Sequence, residues 1–355
     1  MRSKLAAVAG AVAVLAAAAA PAVANGPGVD LEFRGQAIVP TRTTFEGTTV
    51  GGLSSITYDA RRGVYYALSD DASQFQAARF YTLALAVGDG TLANGDVSFE
   101  DVTTLLAPDG DAYAPFSLDP EGLALTKDRE LIFTSEGIAN RLVDPFVRRY
   151  TLDGSFVGSL PVPEAFLPNA GHTRGVRQNL GFESAGVAPN GRFAFVATEN
   201  ALVQDGPPAT VSNGSPARIL RYHLPSGRLD RQWTYVTDPV AEPPQPASQF
   251  SVNGIVELLP LNNEHLIAME RSFSVGAPGT GNTIRLYDVA LTGRGGEARK
   301  TLLLDLKTLG IPLDNVEGMT FGPRLAGGRR SVVLVSDNNF AASQFTQFML
   351  FALER

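Results

Sequence analysis

The sequence predicts an all-β protein, a β-propeller of five blades with four antiparallel strands in each. Three observations carry this prediction: a pair of short apolar strands that recurs five times, a second strand pair after most copies, and many turn-forming residues, with 36 Gly and 23 Pro in 355 residues. Four antiparallel strands per repeat is the composition of a propeller blade. A ring of six blades is the alternative, if one long insertion conceals a degenerate blade.

The repeated unit opens with Gly or Glu-Gly, turns tightly, and continues into an apolar strand that ends in an acidic residue. The glycine, or the residue in its place, stands at positions 52, 122, 184, 254 and 318. The copies cover residues 52–70, 121–136, 183–199, 253–270 and 317–337. A recurring unit of this size predicts structurally equivalent elements arranged around one axis.

A second strand pair follows the first four units. These pairs are predicted at 79–86 with 97–106, 147–152 with 156–161, 218–224 with 229–236, and 283–290 with 299–306. The last copy is followed by one strand only, at 347–353. A strand at 31–39, near the start of the chain, can supply the missing outer strand, which closes the ring and covers a sheet edge.

Residues 1–24 have the pattern of a signal peptide. Arg2 and Lys4 give a charged start, residues 5–20 are apolar, and Ala22-Val-Ala fits a small-x-small cleavage site. We therefore expect a single domain at 25–355, exported to the periplasm or the medium, monomeric, and not bound to the membrane once the signal peptide has been cleaved.

Composition excludes several classes of function. The formal net charge is −7 and there is no basic stripe, so nucleic acid is not an expected partner. The chain has no Cys, which excludes a thiol nucleophile. Its three His are not spaced as the ligands of a zinc site are, which disfavours zinc. A Gly-x-Ser-x-Gly nucleophile elbow is also missing from the sequence.

Acidic residues recur at the ends of the repeated strands that lie on one predicted face. Glu121, Glu183 and Glu317 begin first strands, and the residues that end second strands are Asp70, Glu136, Glu199, Glu270 and Asp337. The long connections fall on the same face, where sites are usually built. Carboxylates that converge in this way either retain protons or bind cations.

Clustered carboxylates with nearby Asn side chains suit a hard cation such as calcium. The metal ligands that we predict are Asp70, Glu121, Glu199, Glu270, Glu317, Asp337 and Asn338. The alternative is structural, because an acid at a strand end also caps backbone N–H groups or pairs with a neighbouring Arg.

The same stretches carry a family resemblance. They include Asp119-Pro-Glu-Gly, Arg177-Gln-Asn-Leu-Gly-Phe-Glu, Met269-Glu-Arg, Asp314-Asn-Val-Glu-Gly-Met and Ser336-Asp-Asn-Asn-Phe. In order and spacing they resemble the phytase-like family, named "esterase-like activity of phytase", over about residues 35–353. The resemblance implies an exported bacterial propeller with recurring acidic residues and an esterase or phosphoesterase activity. This chain departs from the family at Glu183-Ser-Ala, where Glu-Gly-Leu is usual.

The function that these residues suggest is calcium-dependent hydrolysis of a small anionic or phosphorylated ester. Glu183 and Glu136 are candidates to assist the attacking water, and Arg177 and Arg271 are candidates to bind phosphate oxygens. Either Arg could instead pair with the carboxylates beside it. A calcium-dependent lactonase-type hydrolase and a non-catalytic propeller that binds a ligand or partner are the alternatives.

Overall fold

The computed structural model describes residues 29–293 and 295–354. The predicted signal peptide lies outside the described residues. In chain order the strands are β1 Asp30–Val39, β2 Thr44–Phe45, β3 Thr48–Thr49, β4 Leu53–Asp59, β5 Val64–Ser69, β6 Arg79–Leu85, β7 Val97–Thr104, β8 Pro120–Leu125, β9 Leu131–Ser135, β10 Phe146–Tyr150, β11 Phe156–Leu160, β12 Phe182–Val187, β13 Phe193–Thr198, β14 Pro216–His223, β15 Arg228–Val236, β16 Ser251–Pro260, β17 His265–Ser274, β18 Asn282–Ala290, β19 Gly296–Glu297, β20 Arg299–Asp305, β21 Asn315–Arg324, β22 Arg330–Asp337 and β23 Thr346–Glu354. Short 3-10 helices lie at Ala139–Arg141, Glu164–Phe166, Leu224–Ser226 and Leu306–Leu309.

The larger sheets form five antiparallel blades, as predicted, and the six-bladed alternative is wrong. From the axis outwards the blades are β4-β5-β6-β7, β8-β9-β10-β11, β12-β13-β14-β15, β16-β17-β18-β20 and β21-β22-β23-β1, numbered 1 to 5 below. The innermost strands β4, β8, β12, β16 and β21 each contact the next around the ring, and β21 contacts β4. The short β19 extends blade 3 in parallel with β15, and β2 and β3 form a separate hairpin.

The N-terminal strand closes the ring, which confirms a second prediction. β1 runs antiparallel to β23, from Asp30 opposite Glu354 to Val39 opposite Thr346. The outer edge of β23 is therefore covered by the other end of the chain.

The apolar core lies between neighbouring blades. Between blades 4 and 5, for example, Met269 of β17 packs in one buried cluster with Leu334 of β22 and Phe351 of β23. Trp233 of β15 is fully buried between blades 3 and 4. Five such clusters hold the blades at fixed angles and so fix the positions of the strand ends around the axis. None of the helices among the described residues is long and apolar enough to cross a membrane.

A buried carboxyl, that of Glu257 in β16, ties the innermost strands together. It accepts hydrogen bonds from the Ser55 hydroxyl of blade 1 at 2.7 Å and from the Leu258 backbone N–H at 2.9 Å. The backbone N–H groups of Ala185 in blade 3 and Met319 in blade 5 also hydrogen-bond to it. One side chain of blade 4 thus contacts three other blades below the acidic end of the channel.

Candidate functional site

A cavity of about 840 Å³ opens at the end of the channel where the long connections lie. Its lining contains nine carboxylates, from Asp70, Asp119, Glu121, Glu136, Glu183, Glu199, Asp314, Glu317 and Asp337. Among the described residues that line it, Arg271 is the only Lys, Arg or His. Most of the acids singled out in the sequence therefore do meet at one mouth.

A β-bulge in the innermost strand positions three of these carboxylates. In every blade the first strand has at least one residue near the mouth that has no partner on the second strand. This residue is Glu183 in blade 3 and Glu317 in blade 5, and in blade 2 both Glu121 and Gly122 are unpaired. The unpaired residues of blades 1 and 4 are Ser54 and Val256. A bulge re-aims the side chain that it leaves unpaired, so these glutamates reach the channel, and the two blades without an acid leave gaps in the ring.

The second strand of each blade supplies one further residue to the mouth. Directly beyond the bulged pair, the backbone N–H groups of Asp70, Glu136 and Glu199 donate to the carbonyl of the residue just before the first strand, at 2.8, 2.9 and 2.7 Å. Asp337 holds the same place opposite Asn315. The equivalent residue in blade 4 is Arg271, which pairs with Gly254. Four acids and one guanidinium thus occupy the five equivalent positions.

Two glycines of the repeat make room for these acids. A Cβ atom at Gly52 would lie 1.9 Å from Oδ1 of Asp70, and one at Gly254 would lie 2.3 Å from Cγ of Glu199. At these two positions Gly is therefore required by the close approach of a carboxylate, from the same blade at Asp70 and from the neighbouring blade at Glu199. At Gly122 and Gly318 the close neighbours are instead a side chain of the same blade and backbone atoms of the next blade.

Glu270, predicted as a metal ligand, lies outside the cavity lining. Strand β17 continues to Ser274, and Glu270 pairs with Ile255, the position that Ser69, Ser135 and Thr198 hold in other blades. Its carboxylate accepts hydrogen bonds from Tyr235 at 2.7 Å, Asn253 at 2.8 Å and Lys300 at 2.5 Å. Because strand side chains alternate between faces, an offset of one residue turns this acid towards blade 3.

Two other predicted residues hold loops in place. Oδ1 of Asn338 accepts the N–H groups of Gly52 at 3.2 Å and Phe340 at 3.0 Å. Arg177 donates to the backbone carbonyls of Ala201 at 3.2 Å and Gly206 at 2.6 Å. Neither residue is among those that line the cavity.

Arg271 neutralises the blade 4 and 5 side of the cavity. Its Nη2 lies 2.9 Å from Oε1 of Glu317 and 3.6 Å from Oε1 of Glu199. Asn315 donates to the same Glu317 oxygen at 2.9 Å and to Asp337 at 3.2 Å. Burial works against the charge of Arg271, but Glu317, Glu199 and Glu183 outweigh it and raise the guanidinium pKa.

On the blade 2 and 3 side, carboxylates face one another, and among the described lining residues the only basic group that reaches them is Arg271, 3.6 Å from Glu199. Asp119, Glu121 and Glu136 form one group of three, and Glu136, Glu183 and Glu199 form another. Within each group one oxygen of every carboxylate lies within 4.8 Å of the others. Asp119 was missed in the sequence, although it stands two residues before Glu121 in the Asp-Pro-Glu-Gly stretch.

Burial is the main cause of the raised pKa values of these acids. It raises the pKa of Asp119 to about 7, and it raises the pKa of Glu199 to about 7 although Arg271 opposes the shift. Burial and the adjacent Glu317 raise the pKa of Asp337 to about 8. Burial and neighbouring acids also raise the pKa of Asp70, Glu121, Glu136 and Glu183 well above the ordinary range.

The residues on the blade 2 and 3 side fit a hard divalent cation. All their side-chain donors are carboxylate oxygens, which calcium prefers. Oε1 of Glu199 is buried and has no hydrogen-bond partner, although Arg271 lies nearby. A buried acceptor without a partner is costly, and a cation would satisfy it.

Comparisons with known proteins complete the description. The chain is similar to an endo-arabinase from Bacteroides thetaiotaomicron, with 14% identity, a TM-score of 0.46, and coverage of 89% of this chain and 96% of that one. It is also similar to a thermostable family-43 glycoside hydrolase, with 10% identity, a TM-score of 0.46, and coverage of 85% and 89%. A search of curated proteins returned no match. The sequence model of the family described as "Esterase-like activity of phytase" matches residues 48–340, and the chain therefore belongs to the phytase-like family.

Proposed function

We propose that this phytase-like propeller hydrolyses phosphoric esters with the help of a divalent cation, most suitably calcium, held at the acidic mouth. One observation carries the proposal: five carboxylates of blades 2 and 3 converge on one side of the cavity, and of these only Glu199 lies within ion-pair distance of the single buried guanidinium that faces them. The family description, which names an esterase-like activity, supports a hydrolase.

Asp119, Glu121, Glu136, Glu183 and Glu199 are the residues that would hold the cation. A bound divalent cation would supply charge neutralisation and polarisation of the phosphoryl oxygens. Asp70 and Asp337 line the same cavity but stand outside the two groups, so we assign them to the wall of the site.

Arg271 is the residue that would orient the substrate. Its Nε is buried and has no hydrogen-bond partner, so the guanidinium keeps donor capacity while Nη2 contacts Glu317. Arg binds phosphate oxygens through two parallel hydrogen bonds, and a buried Arg does so in a medium where charge interactions are stronger.

The chemical step needs a proton acceptor, and Glu183 is the residue that we assign to it. The bulge in β12 aims its carboxylate into the cavity, and the side chain is 7% exposed. Water would add to phosphorus and give a proton to Glu183, and the ester P–O bond would break. The leaving alkoxide would take a proton from solvent, and Glu183 would return its proton to solvent as the alcohol and inorganic phosphate are released.

The test is release of inorganic phosphate from a panel of phosphomonoesters by chelator-stripped protein, with and without added calcium. We expect turnover that needs calcium, that Arg271→Gln and Glu183→Gln each lower by at least about 100-fold, and that Glu100→Gln, an exposed acid on the outer strand β7, leaves unchanged. Turnover of simple lactones but no phosphoester would contradict the proposal and favour the lactonase alternative. Calcium binding without turnover of either class would favour a binding protein.

We also propose that the protein is exported after cleavage behind Ala24 and acts as a monomer on a small anionic substrate. The evidence is the signal-peptide pattern in residues 1–24. N-terminal sequencing of protein recovered from outside the cytoplasm of an expressing cell checks the cleavage, and analytical ultracentrifugation checks the monomer.

A further inference from the structure

We propose that the cavity binds two divalent cations that share Glu136 as a ligand, with Asp119 and Glu121 completing one position and Glu183 and Glu199 the other. The inference builds on the proposed function, because it concerns the same mouth, but it adds the number of cations, their ligands and the charge of the substrate.

The shared ligand follows from the positions of the blades. Asp119, Glu121 and Glu136 all come from blade 2, whereas Glu183 and Glu199 come from blade 3. Glu136 belongs to both groups of ligand atoms. Its Oε1 accepts the N–H of Gly181 at 2.6 Å, a bond that anchors the carboxylate to the segment leading into blade 3.

An observation independent of the clustering points to a ligand in the second position. The side chain of Glu199 is 2% exposed, and its Oε1 has no hydrogen-bond partner. Arg271 is 3.6 Å from this oxygen but donates to Glu317 instead, at 2.9 Å. The oxygen is therefore left for a cation on the side of Glu136 and Glu183.

The negative charge of the five carboxylates favours two bound cations over one. The five carboxylates carry a formal charge of −5 when ionised; one divalent cation would leave −3 and two would leave −1. Like charges at these separations in a buried site are strongly unfavourable, and the acids would otherwise have to retain protons. Arg271 supplies one positive charge, which lies 2.9 Å from Glu317 and 3.6 Å from Glu199, and Asn315 donates to Glu317 and Asp337, so most of the negative charge on this side of the cavity stays uncompensated.

Two cations opposite a guanidinium select the substrate by charge. Such a site suits a phosphate monoester, which is a dianion near neutral pH, better than a diester with one charge or a neutral carboxylic ester. One oxygen of Glu183 would be enough to complete the second position, and its other oxygen would then accept the proton of the attacking water.

The test is calorimetric titration of calcium into the chelator-stripped full chain, with native mass spectrometry as a second count of bound ions. We expect two calcium ions per chain in the wild type, one in Glu121→Gln and one in Glu199→Gln. Glu136→Gln, which keeps an oxygen acceptor for Gly181, is expected to weaken both positions by at least about tenfold. Glu100→Gln is the matched control and is expected to keep two ions.

The failures of the two proposals are distinguishable. One calcium per chain together with calcium-dependent phosphate release would overturn the pair and leave the proposed function intact. If Glu136→Gln still binds two ions at full affinity, the assignment of Glu136 as the shared ligand is wrong. If Glu136→Gln has lost the wild-type circular dichroism spectrum, the counts in Glu121→Gln and Glu199→Gln decide: two ions retained in either variant would overturn the assignment.

Discussion

Without a divalent cation, the free energy of unfolding is expected to fall as pH rises from 5 to 7. The pKa of Asp119 and that of Glu199 are raised to about 7, and that of Asp337 to about 8, all above the ordinary values of these side chains. Between the ordinary and the raised pKa, the folded protein keeps protons that the unfolded chain has lost. Stability from these groups is therefore fully present below about pH 4 and is lost as pH rises through 7 to 8.

The magnitude follows from the number of protons retained. One proton held by the fold gives a slope of about 1.4 kcal/mol per pH unit, hence about 3 kcal/mol between pH 5 and pH 7. Three independent groups would give a ceiling of about 8 kcal/mol, which is comparable to the whole stability of a typical domain. For a chain of this size the melting temperature would fall by roughly 4–12 °C.

The assay is urea unfolding in EDTA at pH 5, 6 and 7, followed by fluorescence of Trp233, which is the single Trp and is 1% exposed. Asp337→Asn should reduce the slope by up to about 1.4 kcal/mol per pH unit, because one titrating group is removed. Calcium at 100 times its dissociation constant should add about 2.7 kcal/mol per site at pH 7. A urea midpoint in EDTA that is constant or rises from pH 5 to pH 7 would refute the reasoning.

Three further predictions concern single side chains. Asp71→Asn, which breaks the buried pair with Arg79 (2.9 Å, side chains 0% and 2% exposed), should cost about 3–5 kcal/mol in urea unfolding yet leave the number of bound calcium ions unchanged. Glu257→Ala should cost about 1–3 kcal/mol, since it leaves buried donors of four blades without this acceptor, whereas Glu257→Gln should recover most of the loss; equal costs would argue against the hydrogen bonds. Arg271→Met should strengthen calcium binding in direct titration, because a positive charge leaves the cavity, while weakening binding of inorganic phosphate; weaker calcium binding would contradict this assignment.

The fold could be predicted from the sequence because every blade repeats its own signals. The Gly or Glu-Gly opening recurs because close neighbours leave no room for a side chain: the Asp70 carboxylate at Gly52, and backbone atoms of the next blade at Gly122 and Gly318. The missing outer strand after β23 is likewise evident, because the strand pattern at the start of the chain supplies it.

The ring of acids was predictable only where the repeat keeps its register. In blade 4 the acid nearest the expected position is Glu270, but β17 continues to Ser274 and the equivalent residue is Arg271. The sequence alone does not show an offset of one residue in strand register, because the register is defined by the paired strand. Such an offset nevertheless moves a side chain to the opposite face of the sheet. The partners of Glu270, Tyr235 and Lys300, come from other strands at separations of 35 and 30 residues.

The contacts of Arg177 could not be predicted from the sequence either. Its place beside the acids suggests a contact with phosphate or carboxylate, but the turns around Ala201 and Gly206 bring backbone carbonyls to its guanidinium first. Because every residue has a backbone carbonyl, the residue types in the sequence do not show which carbonyls will accept a hydrogen bond. Asp119, in contrast, carried a signal in its spacing from Glu121, because it stands directly before β8, the strand that contains Glu121.

The central claim is that carboxylates of neighbouring blades meet to hold divalent cations. The most direct measurement is a long-wavelength anomalous difference map from crystals of protein purified without chelator and kept in calcium. The predicted result is density for calcium inside the cavity, in contact with Glu136 and with residues of both blades 2 and 3. Anomalous peaks confined to the outer surface, or a cavity that stays free of calcium at millimolar concentration, would contradict it.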